Sequence, residues 1–155
     1  MKDLLYTRAS NSGALTAAGA ETVFDTGADI NYSIGGKAYT KSAVTDGPTP
    51  TTDGDGGALS SITANSGCIM VWCLNGDGDF GVFQSEIEAL NATGAFIKYP
   101  QFPYVDLNTW CPVAYQVLKA DATASAITFG VSNWSATGFT NTITDVHVLP
   151  RRPQS

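Results

Sequence analysis

Ile30-Asn31-Tyr32-Ser33-Ile34-Gly35-Gly36-Lys37-Ala38-Tyr39-Thr40 is the stretch that decides how this chain folds. Its apolar residues fall on alternate positions, the period of a strand with one buried face. Between the two runs stand two glycines, and a two-residue primed turn needs positive φ at both positions, which glycine adopts without steric cost. In the register that turn imposes, Tyr32 faces Tyr39, with Ile34 beside the stem of Lys37 and Ile30 beside that of Lys41. Asn31, Ser33, Thr40 and Ser42 then share the opposite, wet face. The expectation is a half-buried antiparallel pair.

The same grammar extends in both directions. Cys68-Ile69-Met70-Val71-Trp72-Cys73-Leu74 is apolar on both faces and reads as a central strand, ending in Asn75-Gly76-Asp77-Gly78-Asp79 before Phe80 to Phe83 returns. Further strands are expected near Val113–Leu118, Ala126–Val131 and Phe139–Val148. Ser85-Glu86-Ile87-Glu88 has capping-box spacing, which predicts one or two helical turns as far as Leu90. Residues 96–112, punctuated by Pro100, Pro103 and Pro112 with aromatics between, read as an extended crossing segment. The loop from Thr45 to Gly57 has only prolines to anchor it, so it is expected to be mobile or functional. Residues 1–20 read as an arm or an irregular first strand with too little apolar periodicity to hold itself in place, and Pro150 opens a short tail. The fold expected is therefore all-β: an antiparallel β-sandwich or jelly-roll-like barrel with one short helix, in a single domain spanning 1–155.

Composition narrows the function classes. Of 155 residues, 43% are hydrophobic but only 14% charged, so the surface is polar and largely neutral. The net charge of −6 opposes duplex-DNA binding, which needs a basic stripe to displace counterions. No apolar run approaches the ~18 residues of a membrane span, and no secretory h-region follows Met1, so synthesis and folding in a cytoplasm are expected. Cys68 and Cys73, at odd spacing in one strand, point to opposite faces, and Cys111 is remote. All three are expected to be buried thiols acting as small hydrophobes.

Motifs with chemistry are few. Asn75-x-Asp77-x-Asp79 with Glu86 imitates a calcium loop, but Phe80 stands where that loop requires glycine, and a tight turn uses the same residues. His147 has no nucleophile or orienting acid in a recognisable context, so it is expected to be an ordinary half-buried or surface side chain. No catalytic residue, metal ligand or cofactor is expected. Trp72 and Trp110 read as packing residues. Trp134, in a loop, is the plausible exposed anchor, with Arg8 in the N-terminal arm and Arg151 and Arg152 in the tail as further candidate partner contacts.

One resemblance bears on function. Tyr32-Ser33-Ile34-Gly35-Gly36-Lys37-Ala38-Tyr39-Thr40 looks like an early hairpin of small tailed-phage virion proteins. Pro112-Val113-Ala114-Tyr115-Gln116-Val117-Leu118-Lys119, Ala126-Ile127-Thr128-Phe129-Gly130 and the run from Ala136 to Val146 and Pro150 are similar to their C-terminal half. The family resembled is that of capsid decoration, or cement, proteins. The resemblance implies a β-rich, non-enzymatic virion protein, a homotrimer, whose partner is the major capsid protein of a phage head. The alternative is a receptor- or glycan-binding module of a tail fibre or baseplate. A hydrolytic enzyme is a distant third, since no acid, base and nucleophile form a set.

Overall fold

The computed structural model describes residues 7–17, 22–132 and 136–150. In chain order the strands are β1 (Arg8–Ala9), β2 (Leu15–Ala17), β3 (Val23–Thr26), β4 (Ile30–Ile34), β5 (Lys37–Lys41), β6 (Gly47–Pro48), β7 (Ser66–Leu74), β8 (Phe80–Gln84), β9 (Glu88–Ala89), β10 (Cys111–Ala120) and β11 (Phe139–Asp145). The main sheet runs β11-β10-β7-β8, with β9 also paired to β7, and two small sheets, β1-β4-β5 and β2-β3-β6, accompany it. Every strand pairing within these sheets is antiparallel. All three sheets are open, so the chain is a β-sandwich and not a closed barrel.

The hairpin has the expected register, with Tyr32 opposite Tyr39 and Ile34 opposite Lys37. Its turn glycines have φ of 56° and 85°, and the two tyrosine rings stack at 5.3 Å. Strand β7 is buried along its whole length, and its alternation separates two cores. Cys68, Met70, Trp72 and Leu74 face the small sheets and meet Phe24, Ile30, Tyr32 and Ile34. Ile69, Val71 and Cys73 face the other way and meet Phe83, Val105, Trp110 and Tyr115. The first core is stitched by rings: Phe24 lies 5.0 Å from Trp72 and 4.9 Å from Phe80, and Trp72 lies 5.8 Å from Phe129. The Trp72 indole N–H donates to the buried Gln116 side-chain oxygen at 3.1 Å, as a buried indole requires.

Two expectations are corrected. The segment from Ser85 to Leu90 is not a helix, and none occurs among the described residues. Instead, the Ser85 hydroxyl accepts from the Ile69 amide at 2.8 Å, and Glu88–Ala89 pairs with Ser66–Gly67. A helix of one or two turns makes too few bonds to offset its nucleation cost, so the ladder partners offered by β7 prevail. Ala126–Val131 is not a strand either. Ile127 and Phe129 reach the core, but the backbone pairs only at isolated bridges, and Gly130 at φ 76° breaks the extended run.

Of the two readings the sequence left open for the N-terminal stretch, its described part follows the irregular strand, with short strands at Arg8–Ala9 and Leu15–Ala17. Ala9 and Leu15 are buried, and the Asn11 side chain donates to Asp29 C=O at 2.7 Å while accepting from the Asn31 amide at 2.8 Å. Its anchoring is tertiary, which is why local periodicity concealed it. The 45–57 loop is likewise fastened by its backbone. Gly47–Pro48 pairs with β3, the Gly54 amide donates to Val82 C=O at 3.0 Å, and the Asp53 carboxylate accepts from the Asp55 and Gly57 amides.

Candidate functional site

Residues 96–110 cross the second core as a strap with no strand of its own. The sequence explains both halves of that description. Pro100 and Pro103 withhold ladder donors, while Phe96, Tyr99, Phe102 and Trp110 supply the apolar area that pins the strap down. Phe102 meets Tyr115 edge-on at 5.2 Å, and Trp110 meets Phe83 at 5.7 Å. Trp110 also lies over Gly81, where a Cβ would come within 2.7 Å of its ring. At its far end the strap is tied by Thr7, whose hydroxyl donates to Leu107 C=O at 2.8 Å.

Pinning the strap from below leaves its outer side free. Ile97 is 71% exposed and Tyr104 is 83% exposed. Between Tyr104 and the chain leaving β8 lies a cleft of about 350 Å³, whose walls include Gln84, Glu86, Glu88, Lys98 and Gln101. A second cleft of about 280 Å³, reaching Asp53 and Ser60, shares the ridge Gln84-Ser85-Glu86. That ridge is stiff. The Gln84 amide accepts from Ser60 N–H at 2.7 Å and donates to Ser60 C=O at 3.0 Å, and Ser85 is held by β7 as described. Glu88 and Lys98 form an ion pair across the cleft wall at 3.4 Å. The surface therefore combines an exposed aromatic plane, an exposed aliphatic side chain and fixed amide, carboxylate and ammonium groups.

Groups suited to covalent or metal chemistry lie elsewhere. Burial pushes the Cys68 thiol up to about 11 and Cys111 up to about 12, and Cys73 stands well above the ordinary thiol range for the same reason. At neutral pH these are protonated, enclosed side chains and poor nucleophiles. The His147 ring is exposed, with Nδ1 2.8 Å from Ala9 C=O, where β1 meets the segment that leaves β11. The Asn75 side-chain oxygen accepts from the Asp77 and Asp79 amides, both at 2.9 Å, so it serves the turn. Among the described residues, no three His, Cys, Asp or Glu side chains converge as a metal site would require.

Of the contacts expected from sequence, Arg8 is exposed on β1 opposite Ser33. Trp134, Arg151 and Arg152 lie outside the described residues. Trp72 and Trp110 are core residues, as read. Tyr104 and Ile97 escaped notice because an aromatic or aliphatic residue between prolines reads equally well as strap packing. The usable signal is their position: Tyr104 directly follows Pro103, and Phe102 on the other side of that proline already faces the core. Compared with protein-family models, curated proteins and solved structures, the chain shows no match.

Proposed function

We propose that this is a non-enzymatic virion structural protein that binds an assembled phage capsid and stabilises it, acting as a decoration or cement protein. The observation that carries the reading is Tyr104 and Ile97 held outward on a strap that its inward aromatic side chains seat on the sandwich. An aromatic side chain has only two rotatable bonds and so loses little entropy on docking, and a charge-poor surface brings little desolvation penalty. Many copies on one lattice then turn modest contacts into durable attachment. The hairpin and C-terminal pattern resembling decoration proteins points the same way.

The test is uptake by undecorated heads. The wild type binds to saturation and raises the temperature at which the heads rupture. Tyr104→Ala weakens uptake about tenfold or more, as loss of a central aromatic contact does, without changing the protein's own melting. Absence of saturable uptake removes the proposal.

A second reading is favoured by the cleft itself. An exposed tyrosine plane beside Gln84, Gln101 and Glu86 combines a stacking surface with planar hydrogen-bonding groups, which suits a sugar ring. On a glycan array that reading gives discrete hits abolished by Tyr104→Ala; the capsid reading gives none.

A further inference from the structure

The two edges of the main sheet are finished differently. At the β8 edge, Asp53 bridges to Val82 and the Gly54 amide bonds to Val82 C=O, so the 45–57 loop covers it. At the other edge, β11 pairs with β10 on one side, and among the described residues no backbone group bonds to its outer side from Thr140 to Thr144. Its only charge is Asp145, at the very end. That carboxylate is already engaged, accepting from the Ser12 hydroxyl at 2.8 Å and the Leu15 amide at 3.4 Å. Unprotected edges of this kind usually carry a lysine, a proline or a bulge. The run Phe139 to Thr144 has no lysine or proline, and its register with β10 is unbroken.

The Asp121 amide donates to Gly138 C=O and the Val146 amide donates to Val113 C=O, so positions 138 and 146 point into the sheet. Antiparallel ladders alternate, hence 140, 142 and 144 also point inward while 139, 141 and 143 point outward. The Phe139 N–H is taken by Ala136 C=O in the preceding turn. This leaves the Phe139 carbonyl and both backbone groups of Asn141 and Ile143 facing outward.

We infer that this edge is a self-association site, at which β11 pairs antiparallel with β11 of a second copy about a twofold axis at Asn141. The sequence is a palindrome by type around that residue: Phe139, Thr140, Asn141, Thr142, Ile143. Phe139 then lies opposite Ile143 of the second copy, Thr140 opposite Thr142, and Asn141 opposite Asn141. Apolar pairs with apolar and threonine with threonine, both favourable cross-strand pairs. Asn141 exchanges two hydrogen bonds with its counterpart, and each Ile143 N–H meets a Phe139 carbonyl, giving four in all. The register also keeps the two Asp145 carboxylates at opposite ends, which matters for a chain with a net charge of −6. An unrelated extended peptide would share the backbone bonds but not this type-for-type match. The resulting assembly is a twofold pair in which two five-stranded sheets become one continuous sheet of ten strands, distinct from the threefold assembly implied by the family resemblance.

Sedimentation velocity over a wide concentration range tests it. An interface this small is reversible, so the wild type shifts from the mass of one chain to that of two as concentration rises. Asn141→Pro removes an outward donor but no bond to β10, and it weakens the pairing at least tenfold. Thr142→Lys, on an exposed side chain, does the same by placing a charge beside Thr140 of the second copy, and it decides the matter should the proline variant fold poorly. Amide exchange slows at Asn141 and Ile143 on association, whereas Thr140 and Thr142 are protected beforehand. A single-chain mass at every concentration, a threefold mass, or a twofold mass unchanged in Thr142→Lys overturns the inference. Capsid uptake plays no part in this measurement, so the two ideas stand or fall separately.

Discussion

On one side of β7, Cys68, Met70, Trp72 and Leu74 meet two small sheets whose strands are hydrogen-bonded to one another. On the other side, Ile69, Val71 and Cys73 meet a strap attached mainly by its aromatic side chains. The first cover is cooperative, because lifting one strand also breaks its ladder bonds. The second can yield locally, because each ring contact is lost by itself. The strap's outward residues are correspondingly free to take on a binding task, while the hairpin's inward side chains are committed to packing. Tyr32 illustrates the commitment: its ring stacks on Tyr39 and its hydroxyl donates to Asn75 C=O at 2.7 Å.

The largest expected effect sets the two tryptophans against each other. Trp72→Ala should cost about 3–5 kcal/mol in urea unfolding, since the sheets around it cannot close the cavity. Trp110→Ala should cost less, because the strap that carries it can settle inward. Equal losses would mean that the two covers are equally rigid.

Gly130→Ala comes next. It would force an alanine to φ 76° and bring its Cβ within 2.2 Å of the Pro50 carbonyl oxygen. About 2 kcal/mol or more should be lost, with faster amide exchange in the loop covering β8. A neutral result would show that this loop is looser than its bonds suggest.

Alkaline pH probes the hydrogen-bonded side. Burial raises Tyr32 to about 12, Cys68 to about 11 and Cys111 to about 12, above ordinary values of 10, 9 and 9. The unfolded chain therefore releases these protons first, and the native state binds more of them as pH rises. Stability is fully present below pH 9 and should fall from there upward, with Cys68→Ala flattening part of the slope. Thiol labelling at mild alkaline pH should reach Cys73, beneath the strap, before Cys68. The reverse order would contradict the contrast between the two covers.

The smallest effect is at the surface. Tyr104→Ala and Ile97→Ser should each shift stability by less than about 0.5 kcal/mol, as measured by melting, because neither side chain is buried.

Much of this architecture was legible wherever local pattern and tertiary need agree. The Tyr32–Tyr39 register follows from alternation and two glycines, and the central position of β7 follows from an apolar run on both faces. The strap was legible from its prolines, which exclude a ladder position. Strand β10 is longer than its apolar core suggests, because a register shift between Pro112 and Ala114 accommodates the proline. What escaped reading depends on distant partners. Ser85 carries a valid capping signal, yet its hydroxyl is claimed by Ile69; Ala9 and Asn11 look unanchored until Asp29, Asn31 and His147 are brought beside them. The site followed the same rule, since nothing local distinguishes Phe102, which packs inward, from Tyr104, which does not.

Amide hydrogen exchange on the protein, free and bound to undecorated heads, shows directly which cover of β7 meets the capsid. Added protection is expected between Ile97 and Tyr104, with the β4–β5 hairpin unchanged. Protection gained on the hairpin side instead, or none gained anywhere, would contradict that expectation.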